Sequence, residues 1–146
     1  MPFSQPFFAP QKITILLRSP SCVEQMKDLD RIRAAIKSFR DERDWMQFHN
    51  PKNLASSIVI EAAELLEHFQ WKTPEESEQI ARDQKEAIAD EIADIAIYLV
   101  ELADNLGIDL IGAIERKLEK NANKYPVQHV RGSSKKYTEY SIDDEN

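Results

Sequence analysis

The sequence predicts an all-α, single-domain protein, and three observations support this. The chain holds only 3 glycines in 146 residues. Its apolar residues recur at three- and four-residue intervals instead of alternating. Residues suited to helix caps stand ahead of most of the periodic stretches. At 146 residues the chain can bury one modest core. A formal net charge of −7 and a pI near 5.0 argue against binding a nucleic-acid polymer through a basic surface. One cysteine, Cys22, excludes an intrachain disulfide and suits a reducing cytoplasm. Nothing approaches the ~20 apolar residues of a membrane span, and no basic segment introduces a secretory signal. A cytoplasmic chain without a membrane partner is expected.

The first twenty residues stand apart. Pro2, Pro6, Pro10 and Pro20 interrupt any helix, and Ile13-Thr14-Ile15-Leu16-Leu17 has no strand to pair with. Residues 1–20 are therefore expected to form an extended or mobile arm. Ser21-x-x-Glu24 reads as a capping box opening the first helix. Met26, Leu29, Ile32, Ala35 or Ile36, and Phe39 carry its apolar stripe to about residue 43. Trp45-Met46-Gln47-Phe48-His49 forms a junction, and Asn50-Pro51 supplies a cap followed by proline at the first helical position.

The second helix is expected over residues 51–71, with Thr73-Pro74-x-Glu76 giving the next cap. A tight hairpin with one long helix starting at Pro74 would leave two acidic pairs, described below, out of register by ~14 Å at 1.5 Å per residue. Asp83-x-x-Glu86 offers another capping box, and a helix starting there brings the pairs level. Residues 74–82 are thus expected to form a short separate helix and 84–104 a long one. Gly107 ends it, Asp109 caps a fourth major helix, and Pro126 closes that one. The domain spans 21–126, and the polar residues of 127–146 have the composition of a flexible tail.

The two pairs are Glu61-x-x-Glu64 and Glu91-x-x-Asp94. Each lies amid apolar residues: Ile58-Val59-Ile60 and Leu65-Leu66 around the first, Ile88, Ile92 and Ile95 around the second. Spacing of i, i+3 sets both carboxylates of a pair on one helical face. Acids so spaced usually belong to a solvated face, yet these sit in the most apolar stretches of their helices, with no clustered Lys or Arg to neutralise them. Four oxygen donors converging from two helices suit a hard cation such as Mg²⁺, with Mn²⁺ as the alternative. A di-iron bundle needs Glu-x-x-His from two helices, and His68 instead follows Glu64 at i+4.

With those pairs in order along the chain, the sequence resembles the MazG-like all-α nucleoside triphosphate pyrophosphohydrolases. Glu42 to His49, Phe69-Gln70-Trp71-Lys72, Ile97-Tyr98-Leu99 and Lys124-Tyr125-Pro126 are similar to the dCTP pyrophosphatase branch. The likeness covers about residues 26–126. It implies that Glu61, Glu64, Glu91 and Asp94 hold Mg²⁺, that Trp45, His49 and Trp71 line the pocket for base and sugar, and that Tyr98 contacts the nucleotide. Lys117, Asn121 and Lys124 match polar positions that reach the phosphates. Where the family carries histidine nine residues before the tryptophan, this chain has Ile36, a departure that bears on cytosine preference.

Aromatic faces bind any base by stacking, so Trp45 and Trp71 need not specify one, and either could instead fill a core. Lys117 and Lys124 could equally serve the helix dipole. The expected chemistry is metal-assisted hydrolysis of a dNTP, dCTP or modified dCTP favoured, to the monophosphate and pyrophosphate. Glu61 or Glu64 would accept the proton of the attacking water. A reading of another class, a non-catalytic helical oligomerisation or regulatory module with a structural cation, stays open. Ile92, Ala96, Leu99 and Ala103 suggest packing against a neighbour, hence a homodimer or homotetramer whose pocket a second subunit could complete.

Overall fold

The structure is a computed structural model that describes residues 20–136, with side-chain surroundings from residue 28 onward. Apart from Pro20, the expected N-terminal arm lies outside the described residues, as do the last ten residues of the expected tail. Among the described residues six α-helices follow one another: α1 (Pro20–Asp41), α2 (Pro51–Glu67), α3 (Pro74–Asp83), α4 (Lys85–Asn105), α5 (Leu110–Lys124) and the single turn α6 (Val127–Val130). The last falls where the tail was expected.

Most caps do what the sequence implies. The Asn50 side chain accepts the Asn53 backbone N–H at 3.0 Å ahead of Pro51. At Thr73 the capping box is reciprocal: its hydroxyl accepts the Glu76 N–H at 3.3 Å, and the Glu76 carboxylate accepts the Thr73 N–H at 2.8 Å. Asp109 accepts the Gly112 N–H at 3.1 Å. Gly107 follows the end of α4 with φ +64°, the left-handed conformation that glycine adopts without a Cβ penalty.

Three boundaries differ from expectation. α1 begins at Pro20, so Ser21 is already its second residue and not its cap; proline tolerates the first helical turn because its missing N–H would be unpaired there. α2 stops at Glu67, four residues early. The chain there tightens into turns bonded three residues back, Phe69 N–H to Leu66 C=O and Lys72 N–H to Phe69 C=O. Asp83 does not cap α4. It closes α3, and both its oxygens accept Gln79 Nε2, at 2.8 and 2.9 Å, from one turn earlier. The break falls at Gln84, with φ −113° and ψ 30°, so α4 starts where the register argument requires but without a side-chain cap.

α2 and α4 form the principal packed pair, with α1 and α3 also against α4. The pair is antiparallel: His49, just ahead of α2, meets Glu101 near the end of α4, while Glu61 and Glu64 meet Glu91 near its start. α1 also opposes α4, with Arg33 and Lys37 at Asp104 and Arg40 at Glu101. The core of one chain is small. Among the described residues, only Leu54 and Ala103 are buried apolar side chains, beside buried Arg40 and Glu101. Val59, Ile60 and Leu66 on α2 remain exposed, as do Ile92 and Leu99 on α4 and Ile114 and Leu118 on α5. No described helix is long and apolar enough to cross a membrane.

Candidate active site

The register of α2 against α4 creates an acidic cluster. Carboxylate oxygens of Glu61, Glu64 and Glu91 lie within 4.8 Å of one another. Glu61 and Glu91 are half-buried and Glu64 is exposed. Asp94 is not among these three, but its charge is felt at Glu61. Burial first, then the charges of Glu64, Asp94 and Glu91, hold the Glu61 carboxyl above its ordinary range. Like charges at this spacing repel unless a proton or a cation intervenes. A group of hard oxygen donors in this density fits Mg²⁺ or Mn²⁺ chemically.

A cleft of about 710 Å³ opens between α1, the α1–α2 junction and α4. Its walls are mostly apolar, from Ile32, Ile36, Phe39 and Ile97, with Trp45, His49 and Tyr98 among them. Asp94 lines it too, and its charge is felt at Glu61, so the cleft borders the acidic cluster. On α4, Tyr98 stands one turn beyond Asp94 on the same face, as the i, i+4 spacing implies.

The junction that presents Trp45 and His49 is firmly tied. Asp44 takes the left-handed conformation at φ 52°, which aspartate adopts more readily than most side chains. Its carbonyl and carboxylate both accept from Gln47 Nε2 at 2.9 Å. The Trp45 N–H donates to the Arg40 carbonyl at 3.1 Å, and Asn53 Nδ2 donates to the Phe48 carbonyl at 2.8 Å. The indole meets Phe39 edge-on at 5.9 Å and His49 at 6.1 Å, and the Arg43 guanidinium lies 3.6 Å over the Phe39 ring. Trp45 is therefore held at its edges while 42% of its surface stays open.

Sequence reasoning missed a buried polar network below this junction. Arg40 and Glu101 are 6% and 3% exposed. Arg40 Nη1 donates to Glu101 Oε1 at 3.4 Å and to Asn105 Oδ1 at 3.1 Å, and its guanidinium meets Asp41 Oδ1 at 2.7 Å. His49 Nδ1 lies 2.7 Å from the same Glu101 oxygen, and Asn105 Nδ2 donates to the His49 carbonyl at 3.2 Å. Burial alone would weaken the Arg40 charge, but hydrogen bonds and charges from Asp41 and Glu101 outweigh it and raise its pKa. A signal was present: Glu101 is a lone acid within Leu99-Val100-Glu101-Leu102-Ala103, seven residues after Asp94 and so on the same face.

The structure thus brings together Glu61, Glu64, Glu91, Asp94, Trp45, His49 and Tyr98, with Ile36 in the cleft wall. The other expected residues stand elsewhere in the single chain. Trp71 lies in the turns after α2, 84% exposed and outside the cleft lining. Lys117, Asn121 and Lys124 are on α5, outside the principal α2–α4 pairing, and do not line the cleft.

Comparison with known proteins identifies the family to which the chain belongs. Residues 56–140 match the MazG-like family. The dCTP pyrophosphatase 1 of Bos taurus is 45% identical over 113 residues, covering 76% of this chain and 67% of that protein. That of Homo sapiens is 43% identical over 113 residues, covering 76% and 66%. A crystal structure of a pyrophosphatase from Archaeoglobus fulgidus shares 47% identity and superposes with a TM-score of 0.64, over 70% of this chain and 93% of that one. The chain spans about two thirds of the length of the curated relatives it matches. On the family match over more than half of its length and on these identities, the chain belongs to the MazG-like family.

Proposed function

We propose that this protein hydrolyses a deoxynucleoside triphosphate, dCTP or a modified dCTP favoured, to the monophosphate and pyrophosphate in a Mg²⁺-dependent reaction. In class it is a nucleoside triphosphate pyrophosphohydrolase, consistent with the dCTP pyrophosphatases and the pyrophosphatase it is similar to. One observation carries the reading: Asp94, whose charge is felt at Glu61 of the acidic cluster, also lines the aromatic-walled cleft, so the carboxylates adjoin a mostly apolar slot. A nucleoside triphosphate has that polarity, anionic at one end and stacking at the other.

Under this reading Glu61, Glu64, Glu91 and Asp94 hold the cation, which when bound would offset charge on the phosphate oxygens and the leaving pyrophosphate. Glu61, whose carboxyl is raised by burial and neighbouring acids, or Glu64 accepts the proton of the attacking water. Trp45 stacks on the base, His49 and Tyr98 contact the nucleoside, and the apolar walls exclude water. Trp71, Lys117, Asn121 and Lys124 would reach the substrate from a second copy in a homodimer or homotetramer. Exposed Ile92 and Leu99, with the apolar faces of α2 and α5, favour such an assembly. Ala103, by contrast, is already buried within its own chain.

Pyrophosphate release from the four dNTPs and their ribonucleotide counterparts, with Mg²⁺ and with EDTA, tests the reading. Mg²⁺-dependent release with dCTP among the best substrates is expected. Cation binding without release from any triphosphate would favour the non-catalytic module. An active monomer by light scattering at micromolar concentration would refute the shared site.

A further inference from the structure

We propose that Glu101 is a positioning residue that fixes His49 as its Nδ1–H tautomer, so that the His49 Nε2 lone pair accepts from the exocyclic amino group of an aminopyrimidine base. The inference rests on the nucleotide reading of the cleft and adds a residue that selects the base. The hydrogen-bond geometry carries it. Glu101 Oε1 accepts from the Arg40 guanidinium at 3.4 Å and lies 2.7 Å from His49 Nδ1. A carboxylate facing a guanidinium is an acceptor only, so Nδ1 is the donor at that short contact. In a neutral imidazole Nε2 then carries the lone pair.

The remainder of the network prevents the ring from turning. The His49 carbonyl accepts from Asn105 Nδ2 at 3.2 Å, and its N–H donates to the Met46 carbonyl at 3.2 Å. Both ends of its backbone are therefore tied while Glu101 holds the ring. The His49 side chain remains 19% exposed and lines the cleft beside Trp45. Other polar groups near the base are fewer than the lining suggests. Arg40 and Glu101 are buried and bonded to each other, Ile36 offers no hydrogen bond, and Asp94 belongs to the acidic end. His49 Nε2 and the Tyr98 hydroxyl are left to meet a base edge. A fixed acceptor favours a base that presents N–H₂ over one that presents C=O at the same place, where two acceptors would face each other.

Two measurements test this, neither of which needs turnover. The first is the ¹⁵N–¹H correlation of the His49 imidazole in the full-length wild type, assigned by its loss in His49→Gln. The expected pattern is a protonated Nδ1 and a lone-pair Nε2, with Nε2 moving on addition of dCMP and not of dUMP. The second is metal-free binding of dCMP and dUMP to wild type and to the double variant Arg40→Met/Glu101→Leu, which removes the carboxylate without stranding a buried charge. The preference for dCMP should fall by roughly five- to ten-fold, the worth of one hydrogen bond, with dUMP affinity little changed. A protonated Nε2 in the wild type, no preference for dCMP over dUMP, or equal weakening of both in the double variant each overturns the inference. If the double variant does not fold, the wild-type spectrum and the wild-type preference decide. A failure of the hydrolase reading shows separately, as no pyrophosphate release from any triphosphate while the His49 pattern and dCMP binding persist.

Discussion

Replacing Arg40 by methionine keeps the apolar stem of the side chain and removes its guanidinium from a site that is 6% exposed. Three acceptors lose a partner: Glu101 Oε1, Asn105 Oδ1 and Asp41 Oδ1. Asp41 reaches water, being more than half exposed, but Glu101 is 3% exposed and keeps only the His49 bond at 2.7 Å. Breaking a buried pair from one side costs about 3–5 kcal/mol, and the retained His49 bond sets the expectation near the lower end, about 3 kcal/mol. For a chain of this length that lowers Tm by about 6–12 °C. The assay is thermal unfolding at one fixed protein concentration, since association raises Tm by mass action. Arg31, whose pair with Asp28 is 71% and 65% exposed, is the control, and Arg31→Ala should cost under about 0.5 kcal/mol. Arg40→Met/Glu101→Leu should recover most of the loss, because neither charge is left stranded. An Arg40→Met variant as stable as Arg31→Ala, or a double variant as costly as its two single changes combined, would refute the reasoning.

Glu64→Gln and Asp94→Asn should each lower kcat/KM by more than about 100-fold while metal-free helicity by circular dichroism is kept, since a carboxylate is lost from a crowded site; activity within a few-fold of wild type would remove them from the cation site. Trp45→Ala should raise KM about ten-fold with kcat within about three-fold, because stacking is largely uniform binding, and steady-state kinetics with an unchanged KM would return the indole to a packing role. For Glu61 the folded pKa lies above its ordinary 4.5, so its contribution to stability is present below that value and is lost as pH rises through the raised one. In EDTA, wild type should therefore lose more urea resistance than Glu61→Gln as pH rises from about 4 to 7.5, a window that opens below the ordinary value, and equal pH slopes would count against the crowding. Ile36→His should narrow the dNTP panel toward cytosine by adding a polar contact to the cleft wall, as read from kcat/KM for all four dNTPs on both proteins; a wild type already selective by orders of magnitude would show that Ile36 does not relax selectivity.

The acidic pairs were legible because helical period and caps are local properties. Asn50, Thr73 and Asp109 cap as their sequences imply, and the break at Gln84, where the register argument requires it, brings Glu61 and Glu64 to Glu91. Asp83 was misread because a cap signal does not reveal competition: Gln79, one turn earlier, takes the carboxylate first. The end of α2 was misread because nothing in the string before Thr73 marks where an α-helix tightens into three-residue turns. Arg40 and Asn105 were not legible, and the signal at Glu101 was weak, for a different reason. Their partners lie 52 to 65 residues away, and a lone charge in an apolar stretch is informative only once the opposing helix is known.

One stripe of α4 organises the whole site under this reading. Glu91, Asp94, Tyr98 and Glu101 are spaced by three, four and three residues, which keeps them on one face while they climb about 15 Å along the axis. The cation end, the point where it meets the cleft and the residue that holds His49 thus belong to a single rigid element. Changes at Glu101 should alter which base is preferred without touching the acidic cluster, whereas changes at Glu91 or Asp94 should abolish turnover for every base. Under the same reading, base choice rests with α1 and the α1–α2 junction, where Ile36, Trp45 and His49 line the cleft, and the carboxylates proposed for hydrolysis sit on the best-packed pair of helices.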